Sequence, residues 1–305
     1  MLSDFEYEDF DNLTQINTKN INYNIETPLP PKIICNIFEV EDTTEREGYL
    51  QKILNNNQVI SKVIKNNFLF KIRNFFQFSG VPIHIKSGTE LDKLCPKKDP
   101  SDLDEALMIT PLGFFKPDLQ SIFLAGDRIA EVATELKISY TNLAYIVRIH
   151  EIMHWLFQWK EKPNSTSREY EYIEESMANY MTLLWIDWLE DHINDCPVEK
   201  FLLLGKDKSI SDLKKDAITF MEQQPEAYAV AVQLYAKCNP FNNKNNNVLP
   251  FNNNDVLPFI NWCFQKNKIK DKNRKDLVGN LRELYKNSAN YSTNDIITWY
   301  KALFA

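Results

Sequence analysis

"AYIVRIHEIMHWLFQW", Ala144 to Trp159, is an almost unbroken apolar run interrupted by two histidines and a glutamate in the order His150-Glu151-x-x-His154. The chain has only four histidines, so two of them spaced four apart in its most apolar helical segment call for a reason. On an α-helix, residues four apart lie about 40° around the axis and roughly 6 Å along it, so both imidazoles project from one face and can share a single ion. Glu151 is turned by about 100° from His150, which leaves its carboxylate near a water on that ion and not on the ion itself. Ile146, Val147, Ile149, Ile152, Met153, Trp155, Leu156 and Phe157 make the surroundings dry. Two imidazoles and a carboxylate without strong partners would each cost about 1–3 kcal/mol there. A metal removes that cost.

A catalytic zinc site takes three protein ligands and leaves a fourth position for water. The segment "YEYIEESMANYM", Tyr170 to Met181, offers Glu175, which lies 21 residues after His154, enough for the chain to turn and return antiparallel beside the first helix. Glu174 competes with it. Tyr170, Ile173, Met177, Met181, Leu184 and Trp188 form the apolar stripe of this second helix, and Glu174 lies closer to the middle of that stripe. Ala178, one turn beyond Glu175, is small enough for close helix approach, and Asn179 is placed to hydrogen-bond a ligand histidine from behind.

His-Glu-x-x-His followed about twenty residues later by Glu-x-x-Ala-Asn resembles the gluzincin branch of the zincin metallopeptidases, and is most similar to the ImmA/IrrE-type bacterial peptidases. The resemblance spans roughly Ile109 to Trp188. It implies His150, His154 and Glu175 as ligands of one catalytic Zn2+ and Glu151 as general base. It also implies a zincin-like core, in which a small twisted sheet packs on the first active-site helix and its edge strand pairs with an extended substrate. Two departures from the pattern stand out: Asn179 occupies a position where many gluzincins carry an acid, and Ile152-Met153 replaces the small residues often found between the histidines.

Around this centre the reading is α+β and helix-rich. Residues 1–30 form an acidic, flexible N-terminal segment, residues 31–195 the metallopeptidase core, and residues 196–305 a mainly helical C-terminal region with an Asn-rich loop at 241–255. A helix is expected over Glu45 to Phe76 and a strand at "VPIHI", followed by a polar connection, "SGTELDKLCPKKDPSDLDE". Strands at Leu112–Phe115 and Ser121–Leu124 flank a Lys116-Pro117-Asp118 turn, and Asp127 can cap the helix after them. Ser139 or Thr141 starts the His-Glu-x-x-His helix, and Thr166 with Glu169 forms a capping box for the next, which runs to about His192. Pro197, Ser211, Pro225 and Ser292 mark further helix starts. His84 reads as structural and His192 as a solvated group near a helix C-terminus.

A formal charge of −7 and a pI near 5.3 argue against a general nucleic-acid binder. The one basic run, Lys266 to Lys275, contains Asp271 and reads as a solvated loop. No segment approaches the ~18 apolar residues of a membrane span, the N-terminus is acidic where a secretory signal would be basic, and the five cysteines show no Cys-x-x-Cys pairing. The expected address is therefore the cytoplasm, without membrane or nucleic-acid partners. The expected function is a zinc-dependent peptidase, in the leading form an endopeptidase, acting on a peptide or protein through a metal-activated water with Glu151 as base. Tyr172 is the candidate to stabilise the oxyanion. Two alternatives stand beside it: a non-catalytic zincin-fold regulatory or binding module, and a non-peptide metal-assisted hydrolase.

Overall fold

Ser121 to Ala125, "SIFLA", is buried at every residue, as expected of a strand paired on both edges and covered on both faces. In the computed structural model, which describes residues 83–95, 102–119, 121–159, 167–193, 209–239 and 269–303, this segment is the centre of a three-stranded sheet. Strand β1 (Ile83–Lys86) pairs with it in parallel, with Ile83 opposite Ile122. Strand β2 (Gly113–Lys116) pairs antiparallel with β3 (Ser121–Ala125), with Phe115 opposite Ile122. The hairpin expected from the sequence is present, with its first strand shifted by one residue.

The Ala125 N–H donates to the Leu112 carbonyl at 2.8 Å, and these two residues stand opposite each other if the β2–β3 register is extended by one. Hydrogen-bonding groups alternate sides along an antiparallel strand, so the main-chain groups of Phe114 and Lys116 turn to β3 and those of Gly113 and Phe115 turn to the other edge of β2, which is free of strands among the described residues. That edge lies over the helix that carries the histidines.

The helices of the described residues are α1 (Gly88–Leu94), α2 (Asp104–Leu107), α3 (Gly126–Leu136), α4 (Tyr140–Trp159), α5 (Arg168–His192), α6 (Ile210–Glu222), α7 (Glu226–Cys238), α8 (Asp271–Lys286) and α9 (Thr293–Ala302). Helix-rich with a small sheet, the fold is α+β. None of these helices is long and apolar enough to cross a membrane.

Helices α4 and α5 run antiparallel, because the Trp185 indole N–H donates to the Tyr145 hydroxyl at 2.9 Å at one end while His154 meets Glu174 at the other. Trp155 and Trp185 are fully buried, as are Tyr172 and Tyr180, whose hydroxyls reach Glu226 and the Cys238 carbonyl of α7. On its other side α5 is covered by α6, α7 and α8. Helices α6, α7 and α8 thus pack directly on the helix that carries Glu174 and Glu175.

Several helix starts differ from the sequence reading. Helix α5 is capped by Ser167, whose hydroxyl accepts from the Tyr170 N–H at 3.3 Å, rather than by Thr166, which lies outside the described residues. Helix α6 begins from a Ser209/Asp212 capping box and not from Ser211. Pro225 and Ser292 precede α7 and α9 as expected. The stretch read as a polar connection contains α1, started by a Ser87/Glu90 capping box, and α2. Asp127 stands inside the first turn of α3 and not at its cap position, which is Ala125; its carboxylate accepts from the Arg128 N–H at 2.9 Å and from the Gly88 N–H at 2.8 and 3.0 Å, and so ties the start of α1 to α3. In the basic run, Asp271 to Lys275 are helical and Arg274 is buried, so a hydrophobic stripe at Arg274, Leu277, Val278 and Leu281 overrides the expectation of a loop. The N-terminal segment, the Glu45–Phe76 helix, Pro197 and the Asn-rich loop lie outside the described residues.

Candidate metal centre

Helix α4 starts at Ser139, whose hydroxyl accepts from the Asn142 N–H at 3.4 Å. Asp216 of α6 reinforces that end by accepting from the Ser139 N–H and from the buried Asn142 side chain at 2.7 Å. Two turns further on, the apolar residues Ile146, Val147, Ile149, Ile152, Met153, Trp155 and Phe157 are all buried, and His150 and His154 are left facing α5. Their side chains and that of Glu175 keep 12–15% exposure, so all three retain some contact with solvent.

The three groups converge. His150 Nε2 and His154 Nε2 are 3.0 Å apart, and Glu175 Oε2 lies 3.1 Å from each. Among the described residues, this is the group of His, Cys, Asp and Glu side chains able to hold a metal ion. The tautomers follow from the partners behind the rings. Asn179 Nδ2 donates to the Tyr228 carbonyl at 3.2 Å, which turns Asn179 Oδ1 to His150 Nδ1 at 2.7 Å, so that nitrogen carries the proton and donates. His154 Nδ1 donates likewise to Glu174 Oε1 at 2.9 Å. With both Nδ1 atoms protonated, the neutral rings turn two Nε2 lone pairs and a carboxylate oxygen on one point, with no donor among them.

Three converging acceptors need positive charge between them. Burial disfavours a charged His154, yet the Glu175 charge and the hydrogen bonds to Glu174 and Glu175 outweigh it and raise the His154 pKa well above the ordinary value. Burial likewise works against a charged Glu175, but His154 and His150 hold its pKa well below the carboxylate range. The donor set fits zinc: two imidazole nitrogens and one carboxylate oxygen, in a triangle slightly tighter than the separation of about 3.3 Å that tetrahedral bonds of 2.0–2.1 Å give. Glu175 is the acid facing both Nε2 atoms, and Glu174 stands behind His154, 4% exposed.

Glu151 is buried beneath β2. Burial raises its pKa, opposed by the charges of His150 and His154. Gly113 is the close neighbour: a Cβ there would fall 2.9 Å from Glu151 Oε1 and 2.7 Å from Val147 Cγ1. Only glycine lets the strand come this near to the carboxylate.

The remaining sequence candidates lie elsewhere. The Tyr172 hydroxyl donates to Glu226 at 3.0 Å, so it is occupied in a strut between α5 and α7 and not turned to an oxyanion. His84 is exposed on β1 and stacks on Phe123. Cys95 ends α1 and packs beside the cluster of Leu91, Phe123 and Ala125. Tyr228 and Gly113 escaped the sequence reading, since no local spacing links either to the His-Glu-x-x-His helix. Compared with protein-family models, with curated proteins and with solved structures, the chain matches none.

Proposed function

We propose that the chain is a zinc-dependent peptidase of zincin type, with His150, His154 and Glu175 as ligands and Glu151 as general base. The observation that carries the reading is the convergence of two Nε2 lone pairs and Glu175 Oε2 at 3.0–3.1 Å, with the tautomer of each ring fixed from behind. The His-Glu-x-x-His and Glu-x-x-Ala-Asn spacing, and a small sheet whose edge strand lies over α4, support the zincin core. When bound, zinc supplies a Lewis acid that acidifies water and polarises a carbonyl.

The chain's own residues supply the rest. The main-chain groups of Gly113 and Phe115 on the free edge of β2 offer an extended peptide a strand to pair with, which would lay its backbone beside Glu151. The Glu151 carboxylate accepts a proton from the attacking water and returns it to the leaving amine nitrogen. Asn179 and Glu174 keep both imidazoles in the tautomer whose Nε2 is free. A base held dry beside the ligands favours a catalytic reading over a structural metal, because a closed structural site has no use for one.

The test combines metal analysis with turnover on a mixture of unfolded proteins. The wild type should carry about one zinc and cleave; Glu151→Gln should keep the zinc and lose about 10²–10⁴-fold in rate. Glu175→Ala should lose the ion, and Glu174→Ala should weaken it by about 10–100-fold. A Glu151→Gln chain that cleaves as fast as the wild type would sink the assignment of the base. A Glu174→Ala chain more depleted of zinc than Glu175→Ala would reassign the third ligand.

A further inference from the structure

Arg128, in the first turn of α3, touches none of the metal-centre residues, yet its guanidinium reaches the stretch of chain that leads into β2. Nη1 donates to the Pro111 carbonyl at 3.2 Å, two residues before Gly113. Nη1 and Nη2 also donate to the two carboxylate oxygens of Asp92 in α1, at 2.9 and 2.6 Å. That fork fixes the plane of the guanidinium. Gly88 keeps the path open: a Cβ there would fall on the Arg128 side chain, 2.7 Å from Cζ and 2.8 Å from Cδ. Asp127, next to Arg128, holds the same glycine through its N–H. The Asp92 side chain is 52% exposed, so the ion pair itself adds little stability. What it supplies is direction.

We propose that Arg128 is a positioning residue for Glu151, setting the height of β2 over α4 by holding the Pro111 carbonyl. The proposal rests on the peptidase reading above for the role of Glu151; the contact with the strand stands on its own. Two successive carbonyls pin the entry to β2, that of Pro111 by Arg128 and that of Leu112 by the Ala125 N–H at 2.8 Å. The next residue is Gly113, where an added Cβ would lie 2.9 Å from both Cγ and Oε1 of Glu151. A strand this close has no slack: moved toward α4 it meets the carboxylate, and moved away it leaves the carboxylate room to turn. Pro111 has no N–H, so its carbonyl is the one main-chain group through which hydrogen bonding can fix it. A charged donor makes that bond stronger than a neutral one would.

The experiment compares the zinc-loaded full chain with Arg128→Met, Gly88→Ala and the double variant, using fluorescein-labelled casein as substrate. Methionine keeps the apolar stem and removes every donor; alanine at position 88 leaves the guanidinium intact and displaces it from Pro111. Each single variant should lose about 10²-fold in kcat, the scale of a displacement of about 1 Å at a reacting group, with zinc affinity at the wild-type value. The double variant should lose no more than either single one, because both act through one contact. Ser292→Ala, destabilised at the start of α9, should keep its kcat, which separates positioning from lowered stability. Hydrogen exchange adds a readout that needs no substrate: the Ala125 amide should exchange about 10–100-fold faster in Arg128→Met, while the Trp185 amide of α5 keeps its rate. Wild-type kcat in Arg128→Met, losses that multiply in the double variant, or unchanged exchange at Ala125 would overturn the role of Arg128 and leave the metal reading standing. Loss of zinc, or faster exchange at Trp185 as well, would make Arg128 a general support of the fold and equally overturn it. A wild type that leaves casein uncut would sink the peptidase reading, and exchange at Ala125 would then decide alone whether Arg128 holds the strand.

Discussion

Gly113 of β2 lies so close over Glu151 that an added Cβ would come within 2.9 Å of the Glu151 Cγ and Oε1. The edge strand and the buried carboxylate are therefore one unit, because the missing side chain at Gly113 gives the carboxylate room. Backbone conformation does not enter this argument; the space above α4 does.

Gly113→Ala is accordingly expected to push the strand off α4 or turn Glu151 aside. Overpacking of this kind costs about 1–3 kcal/mol of stability. A displacement of about 1 Å at a reacting group costs about 10²-fold in rate, so turnover should fall on that scale while zinc content stays at the wild-type level. Full activity in Gly113→Ala would show that β2 does not set the position of Glu151.

The metal centre was legible in the sequence to the extent that it is local. His150 and His154 share a face because a helix has a fixed pitch, and Glu175 returns to them because 21 residues make one turn and one antiparallel helix. Helix starts were legible in kind but not always in place. Ser87, Ser209 and Ser292 each stand three residues before an acid that completes a capping box, and of the three only Ser292 enters the sequence reading as a helix start. Gly113 and Tyr228 could not be read, because their roles arise where β2 crosses α4 and where α7 docks on α5. Nothing in the spacing of a chain encodes such meetings.

The same capping boxes set an acid limb of stability. Backbone and side-chain hydrogen bonds from Ser87 hold the Glu90 pKa below its ordinary value, and Ser209 and Ser292 do so for Asp212 and Asp295, the side-chain bond acting first in each. A carboxyl group whose folded pKa is depressed contributes stability that is fully present above its unfolded value, 3.8 for the aspartates and 4.5 for the glutamate, and that is lost as pH falls through the folded value. Thermal unfolding followed from pH 6 down to pH 2 should therefore show the midpoint falling below about pH 4, with Asp295→Asn flattening part of that fall. Ser292→Ala should cost about 1 kcal/mol at neutral pH. An Asp295→Asn chain with an unchanged acid limb would contradict the assigned shift.

Asn179 explains why an amide, and not an acid, stands behind His150. Its Oδ1 accepts from the imidazole Nδ1–H at 2.7 Å, a task a carboxylate performs as well, but its Nδ2 donates to the Tyr228 carbonyl at 3.2 Å, which an ionised carboxylate cannot do. The residue is 2% exposed, so water does little to screen a carboxylate oxygen placed against the Tyr228 carbonyl, which also accepts a helical N–H within α7. Asn179→Asp should thus trade one gain for one loss: a more basic His150, and a buried carbonyl that faces a carboxylate oxygen at a cost of about 1–3 kcal/mol. Asn179→Leu, close in volume, removes both bonds, leaves His150 free to choose its tautomer, and should weaken zinc binding by about 10–100-fold. Calorimetric unfolding of the metal-free chain reads the first effect and zinc competition titration the second. If Asn179→Asp is as stable as the wild type, the amide's bond to the Tyr228 carbonyl is not what selects asparagine; if Asn179→Leu binds zinc undiminished, His150 is oriented by its packing alone.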